Sequence, residues 1–171
     1  MKSKITPVIV LGIICLAVTL LLASVNMLTA DRIAKVQYEK EQAALRDIMP
    51  KGEHFQTVEV AGLADSITAV YKESGGGYVF KISTKGYGAG LVILCGIDAK
   101  GNLTGVKSIV SNETPSKENG IGDKFNGMSL DNHSDIIVSG ATKTSVAYSN
   151  AVKDSFEAYE MITQGIRRLS K

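Results

Sequence analysis

The sequence has no tryptophan, only two cysteines, two histidines and three prolines, and 6% of its 171 residues are aromatic. Cys15 and Cys95 are too few and too far apart for a zinc site or a disulfide framework, so both are expected to be small, buried apolar residues. The histidines form no cluster, and a metal site is not expected. The 19 basic and 17 acidic residues include no dense basic run, which argues against nucleic-acid binding.

Charged residues are also absent from a long stretch near the N-terminus. From Val8 to Val25 the sequence is apolar except for Thr19 and Ser24. With the three residues that follow, it reaches about twenty residues, enough to cross a hydrocarbon core of roughly 30 Å as a helix. A cleaved signal peptide would have an apolar core of about 7–15 residues and a small-residue cleavage site. We therefore predict an uncleaved transmembrane helix over residues 7–29, held in membrane lipid.

A second helix-forming stretch follows the apolar one. Residues 30–50 are rich in Ala, Glu, Lys, Arg and Gln, which favour a juxtamembrane helix. Pro50 and Gly52 predict its end. A simple stalk and a helix that packs against a partner remain equally open readings of this segment.

The charges on either side of the apolar stretch nearly balance. Lys2 and Lys4 precede it, and Arg32, Lys35 and Lys40 follow it. The first pair favours a cytoplasmic N-terminus, but the second group almost cancels that preference. The residues alone therefore leave the orientation open.

The remainder of the chain predicts an α+β domain. Strands are expected at five places: residues 55–60, 67–71, 78–82, 91–97 and 103–110. The fourth is a continuous apolar run and is expected to be buried on both faces. Consecutive strands joined by turns favour an antiparallel sheet. Apolar residues at three- to four-residue spacing over residues 144–166 predict a C-terminal helix packed on it.

The turn before that helix is the most informative stretch. An apolar run at residues 135–138, expected to be a strand, leads into Ser139-Gly140-Ala141-Thr142-Lys143-Thr144-Ser145. The small residues allow close approach to the backbone, and unpaired N–H groups at a helix start favour a phosphate. Lys143 adds a positive charge. The alternative is an ordinary capped helix start, because Ser, Thr and Gly are common there.

The string Ser-Gly-Ala-Thr followed by Thr-Ser resembles the flavinylation motif of the FMN-binding domain family. That family includes the G subunit of the Rnf electron-transport complex and the C subunit of the sodium-pumping NADH:quinone reductase. In it the Thr carries FMN through a phosphoester bond, which maps onto Thr142 and implies a flavin transferase as a partner. The resemblance also implies cofactor-binding roles for the neighbours of Thr142, namely Ser139, Gly140, Ala141, Lys143, Thr144 and Ser145.

Two further segments resemble parts of the same family. Residues 86–90 read Gly-Tyr-Gly-Ala-Gly and are similar to its Gly-Tyr-Gly segment near the flavin, which implies roles for Tyr87 and Gly88. Residues 112–115 read Asn-Glu-Thr-Pro and are similar to the start of its flavin-lining Glu-Thr-Pro-Gly loop, which implies roles for Glu113 and Thr114. A mobile turn and a polar strand end are the respective alternatives.

The chain departs from the family pattern at two places. Pro115 is followed by Ser116-Lys117-Glu118-Asn119, whereas the family has Gly directly after the Pro. These four residues resemble an insertion in the loop. The family usually has Asp three residues before the Ser of the motif, whereas Ile136 stands there and Asp135 is the nearest acid. A one-residue bulge would restore the position of that carboxylate.

The resemblance implies a protein whose residues 1–6 are cytoplasmic and whose residues 51–171 form an FMN-binding domain on the periplasmic or extracellular side of the cell membrane. It implies a covalent FMN electron-transfer subunit of an Rnf-type ferredoxin:NAD⁺ oxidoreductase that translocates sodium ions or protons. Other integral membrane subunits would be its partners, and no substrate chemistry of its own is expected. The alternatives are a solitary membrane-tethered electron carrier and a non-redox accessory domain with a vestigial motif.

Overall fold

The computed structural model describes residues 2–50, 52 and 54–169. The chain divides between Lys40 and Glu41 into two compact units. Helix α1, Lys2–Ile48, begins in the first unit, and its last turns belong to the second. Residues 7–40 of α1 are exposed, and the most apolar window of the helix has a mean hydropathy of 3.0. By length and composition α1 can cross a membrane, a criterion that a signal sequence near the N-terminus also meets.

The second unit is built on a five-stranded antiparallel sheet in the order β1-β2-β3-β4-β5. The strands are β1 Phe55–Val58, β2 Ile67–Glu73, β3 Tyr78–Thr84, β4 Leu91–Ile97 and β5 Leu103–Val110. Each strand pairs with its neighbour in sequence because short turns join them. The predicted α+β class and antiparallel sheet are confirmed, with β1 shorter and β2 and β3 longer than the sequence predicted.

The sheet is covered on both faces. In β3 and β4, Phe80 lies opposite Cys95 in a register that carries their side chains into the cluster formed with the C-terminal helix. Val79 and Leu94 point to the other face, where they pack against the end of α1. This arrangement explains the unbroken apolar run of β4, which the sequence predicted to be buried on both faces.

The C-terminal helix, α3, extends over Thr142–Leu169 and is longer at both ends than predicted. Its buried face carries large side chains at helical spacing: Tyr148, Val152, Phe156, Tyr159 and Ile162. Ser155 lies beside this face and is fully buried as well, and its hydroxyl is satisfied by donating to the Val152 carbonyl at 2.6 Å.

Several details differ from the sequence predictions. Residues 135–138 are not a strand, so that expectation is wrong. The loop after Glu113 contains a short helix, α2, Pro115–Glu118, and a 3₁₀ helix follows at Gly122–Phe125. Cys95 is buried as predicted, whereas Cys15 is exposed, because no described part of the chain covers that stretch of α1.

Candidate functional site

Two serines of α3 hold the segment that leads into the helix. The Ser149 hydroxyl accepts from the Ile136 N–H at 3.0 Å and donates to the Ile136 carbonyl at 3.2 Å. The Ser145 hydroxyl accepts from the Val138 N–H at 3.0 Å and donates to the Thr142 carbonyl at 3.0 Å. These bonds satisfy backbone groups that a sheet would otherwise pair, so this apolar run lies along α3 instead of forming a strand.

The start of α3 leaves backbone donors available. Gly140, with φ of 77°, adopts the left-handed conformation that glycine tolerates best. The helix then begins at Thr142, directly after Ala141, which has no side-chain acceptor. Among the described residues, no acceptor meets the N–H groups of Thr142, Lys143 or Thr144. The turn is therefore not closed by a hydroxyl cap, and its donors are open to an anion.

A single carboxylate joins the three segments that the sequence singled out. Glu113 Oε2 accepts from the Thr144 hydroxyl at 2.5 Å, and Oε1 accepts from the Gly88 N–H at 2.7 Å. The Glu113 residue is only 8% exposed. Burial by itself would raise the pKa of Glu113, but these two bonds and one from the Tyr87 N–H outweigh it and hold that pKa below its ordinary value of 4.5. At neutral pH the group is ionised and acts only as an acceptor.

The glycines of the 86–90 loop give Glu113 and its neighbour room. A Cβ on Gly86 would lie 2.6 Å from Glu113 Oε1, and a Cβ on Gly88 would lie 2.9 Å from the Asn112 carbonyl oxygen. The Asn112 amide donates in turn to the Ala89 carbonyl at 2.8 Å. The group that approaches these glycines is the chain's own Asn112-Glu113 segment.

Tyr87 lies at the tip of this loop and is 77% exposed. The Lys143 ammonium lies 5.6 Å from the centroid of its ring, within the range of a cation–π contact. The loop and the start of α3 are therefore in contact through side chains as well as through Glu113.

These segments enclose a cavity of about 440 Å³, within the range of about 300–1,000 Å³ that is typical of small-molecule sites. Its lining comes from the loop, the end of β5 with α2, and the start of α3: Tyr87, Glu113, Thr114, Lys117, Gly140, Ala141, Thr142, Lys143 and Thr144. Thr142 is exposed, and its hydroxyl has no hydrogen-bond partner among the described residues.

Most residues singled out from the sequence meet at this cavity, but not all of them line it. Ser139 and Gly88 lie next to lining residues, and Ser145 is fully buried with its hydroxyl engaged in the turn. Asp135 is exposed and outside the lining. Residues 135–138 form no paired strand, so they contain no bulge that would reposition Asp135.

Lys117 was missed by sequence reasoning. It belongs to the four residues that appeared only as an insertion, and the structure folds them into α2 at the edge of the cavity. The sequence shows only a basic residue within a loop already expected to line a cofactor, and its place at the cavity depends on the fold around α2.

Comparison with known proteins gives two family matches and a set of curated relatives. The model of the RnfG N-terminal region matches residues 2–48, and that of the FMN-binding domain matches residues 86–157. The G subunit of the Na⁺-translocating ferredoxin:NAD⁺ oxidoreductase complex of Acetobacterium woodii is 30% identical, over 92% of this chain and 86% of that protein. The G subunit of the ion-translocating oxidoreductase complex of Shewanella loihica is 29% identical, over 84% and 83% respectively. The G subunit of the proton-translocating ferredoxin:NAD⁺ oxidoreductase complex of Clostridium ljungdahlii is 25% identical, over 91% of both chains.

Proposed function

Because the chain belongs to the RnfG family, the G subunits of Rnf-type ion-translocating oxidoreductase complexes, we propose that it carries FMN and relays electrons within such a complex. The cavity beside Thr142 is the observation that carries this proposal. The relatives' names include both a Na⁺-translocating and a proton-translocating complex, so this chain resembles subunits of complexes coupled to either ion.

The residues at the cavity fit FMN. The open N–H groups at the start of α3 and the Lys143 ammonium suit its phosphate, and Gly140 and Ala141 leave space beside them. The lining is mixed, with Tyr87 able to contact a ring and Thr114 able to hydrogen-bond to polar ring atoms. When bound, FMN supplies the electron-transfer chemistry, and the protein supplies its position and surroundings.

We further propose that FMN is attached through a phosphoester to the Thr142 hydroxyl, by a flavin transferase. That oxygen is exposed at the first residue of α3, free of hydrogen bonds within the described chain, and lies where the helix N-terminus stabilises negative charge. Thr142 is thus an attachment point, while Glu113 keeps the 86–90 loop against α3 and Lys143 adds positive charge.

Intact-mass measurement of the full chain, produced with a flavin transferase, tests this attachment. The native chain should carry the added mass of FMN, and Thr142→Ala should lose all of it while remaining folded. Thr57→Ala is the matched control, because Thr57 is exposed on β1 and lies outside the cavity; this variant should keep the full added mass. An unmodified native chain, or a Thr142→Ala chain that still carries FMN after denaturation, contradicts the attachment.

Membership of a complex is tested separately. Extraction of native membranes in mild detergent should bring down several integral membrane proteins with this chain. Recovery of the flavinylated chain alone would instead support a solitary tethered carrier, and recovery of an unmodified chain would support a non-redox accessory domain.

We propose that α1 anchors the chain in the cell membrane and that the FMN-binding unit lies outside the cytoplasm. A cysteine introduced at exposed Lys153 on α3 should react with a membrane-impermeant thiol reagent in intact spheroplasts. Cys95 is buried and Cys15 lies within the proposed membrane span, so both give little background. A cysteine at Lys4 should react only after lysis, and the reverse pattern would contradict the orientation.

A further inference from the structure

We propose that Lys117 binds the phosphate of FMN beside Gly140, as a second cation in addition to Lys143. This assignment rests on the proposed function and concerns a residue that this chain gains where it departs from the family's Glu-Thr-Pro-Gly pattern.

The backbone that carries Lys117 is held firmly. The Thr114 carbonyl accepts from the N–H groups of Lys117 at 2.8 Å and Glu118 at 3.2 Å, which closes the single turn of α2. The Glu118 carboxylate then accepts from the Tyr148 hydroxyl at 2.9 Å and from the Ser111 hydroxyl at 2.6 Å. Because Tyr148 belongs to α3 and Ser111 follows β5, α2 is fixed between the sheet and the helix that carries Thr142.

The Lys117 ammonium lies at the turn that precedes Thr142. A Cβ on Gly140 would be 3.1 Å from Lys117 Nζ, and both residues line the cavity with Thr142. A side chain at position 140 would therefore compete with the ammonium for space, in addition to straining the positive φ of that residue. Glycine at this position leaves the ammonium beside the proposed attachment point.

The charge of Lys117 is also uncompensated. Among the described residues it has no carboxylate within ion-pair distance, and the two acids nearest to it in sequence are engaged elsewhere. Glu113 accepts from Thr144 and Gly88, and Glu118 accepts from Tyr148 and Ser111. A cation that lines a cavity and has no ion-pair partner is suited to an anionic ligand, and a phosphate gives it a charge-assisted hydrogen bond.

The test compares FMN with riboflavin, which lacks only the phosphate. The full chain in detergent carries Thr142→Ala, so that binding is reversible, and each flavin is titrated by fluorescence quenching. Adding Lys117→Gln should weaken FMN binding by about three- to tenfold and leave riboflavin binding unchanged, since Lys117 is exposed and loss of an exposed charged hydrogen bond costs less than loss of a buried one. Lys117→Arg should restore the preference for FMN, which a purely structural role for the side chain would not require.

Lys124→Gln is the matched control, because Lys124 is an exposed lysine of the same loop region that does not line the cavity. It should leave the affinity for both flavins unchanged. The Lys117 assignment is overturned if Lys117→Gln weakens both flavins equally or neither, or if the Thr142→Ala parent holds FMN no more tightly than riboflavin. When the native chain carries FMN by intact mass, these results overturn the Lys117 assignment alone. A native chain without FMN overturns the proposed function, and this assignment with it.

Discussion

At the residue scale, the candidate site depends on one buried carboxylate. Glu113 is the acceptor on which the 86–90 loop and the start of α3 converge, through Gly88 and Thr144. A buried acceptor that is removed leaves its donors without partners, which costs more free energy than the hydrogen bonds add on average. Glu113 therefore influences both the stability of the unit and the shape of the cavity.

Replacing Glu113 with Gln should lower the free energy of unfolding by about 1–3 kcal/mol at neutral pH, because the amide nitrogen cannot accept a hydrogen bond. The folded-state pKa of Glu113 lies below the ordinary value of 4.5, so the stability from its ionised form is complete above pH 4.5. That stability is lost as the pH falls through the folded-state pKa, and the gap between native and variant should shrink there.

Urea unfolding of the full chain in detergent, at neutral pH and below pH 4.5, measures this gap. Glu157→Gln is the control, because Glu157 is exposed on α3 and should behave as the native chain at both values. A gap that stays constant or widens as the pH falls would contradict the assigned role of Glu113.

At the level of residues, the local motifs singled out side chains that the structure brings together. Thr142, Thr114 and Tyr87 line the same cavity, and their cofactor-binding roles stay predictions. Lys117 could not be predicted, because its place depends on α2 being pinned by Tyr148, a contact between residues far apart in sequence. Ser145 was predicted to bind the cofactor, whereas its hydroxyl is buried in the turn before α3. That burial, like the place of Lys117, depends on the fold around the residue.

At the scale of elements, β4 and β5 could be predicted to the residue, since each apolar or alternating run is bounded by turn residues. The same reasoning failed for residues 135–138. Three β-branched residues in a row favour a strand, yet the run pairs with the hydroxyls of Ser145 and Ser149. The sequence alone does not show that two serines four residues apart on a helix will supply those hydrogen bonds.

The 3₁₀ helix at Gly122–Phe125 gives an element-scale prediction, because it packs directly on the backbone of β5. A Cβ on Gly122 would lie 2.1 Å from the Val106 carbonyl oxygen, so Gly122→Ala forces the backbone to shift. We expect it to lower the free energy of unfolding by about 1–3 kcal/mol, as overpacking does.

Gly165→Ala makes the same chemical change in the interior of α3, where an added Cβ meets nothing within 4 Å. It should raise stability by about 0.5–1 kcal/mol, because Ala favours the helix over Gly. Thermal unfolding of the two variants beside the native chain should therefore shift in opposite directions, and an unchanged or raised unfolding temperature for Gly122→Ala would contradict the packing of the 3₁₀ helix.

At the scale of the whole molecule, the end of α1 belongs to the sheet domain. Leu45 and Ile48 are 0% and 3% exposed, and they cover Val79 and Leu94. Gly96 and Gly105 lie opposite each other in β4 and β5, and a Cβ on Gly96 would be 2.3 Å from Ile48 Cγ2. Glycines at these positions let the helix approach the sheet closely.

Polar contacts fix the same segment. Glu41 accepts from the Tyr71 hydroxyl and from the Lys81 ammonium, the latter at 2.7 Å, and Asp47 pairs with Lys107. The sequence predicted a helix ending near Pro50 and left open whether it was a stalk or a helix that packs against a partner; packing on the chain's own sheet was not predicted. Within the described chain, residues 41–49 pack on the sheet. The apolar stripe of this helix is too irregular to predict that packing from the sequence. It is nevertheless sufficient to cover the sheet, because only two turns of the helix are involved.

Truncation at two points tests this division of the molecule. A chain beginning at Glu41 should fold and unfold cooperatively, because it keeps every residue that covers the sheet. A chain beginning at Lys51 loses Leu45 and Ile48, and each large buried side chain contributes about 2–5 kcal/mol. Their combined loss is comparable with the whole stability of about 5–15 kcal/mol of a typical domain. Circular dichroism during heating should show a transition for the first chain and a strongly lowered or absent one for the second.

The same contrast can be made without truncation. In the full chain, Leu45→Ala with Ile48→Ala should destabilise the sheet domain nearly as much as removing residues 41–50, since it strips the same apolar cover from Val79 and Leu94. Arg46→Ala is the control, because Arg46 lies on the same turns but is exposed and should change stability by less than about 0.5 kcal/mol. Equal melting temperatures for the chains beginning at Glu41 and Lys51 would mean that the last turns of α1 are dispensable to the sheet. In that case the domain would begin at residue 51, as the sequence alone predicted, and the glycines of β4 and β5 would need another explanation.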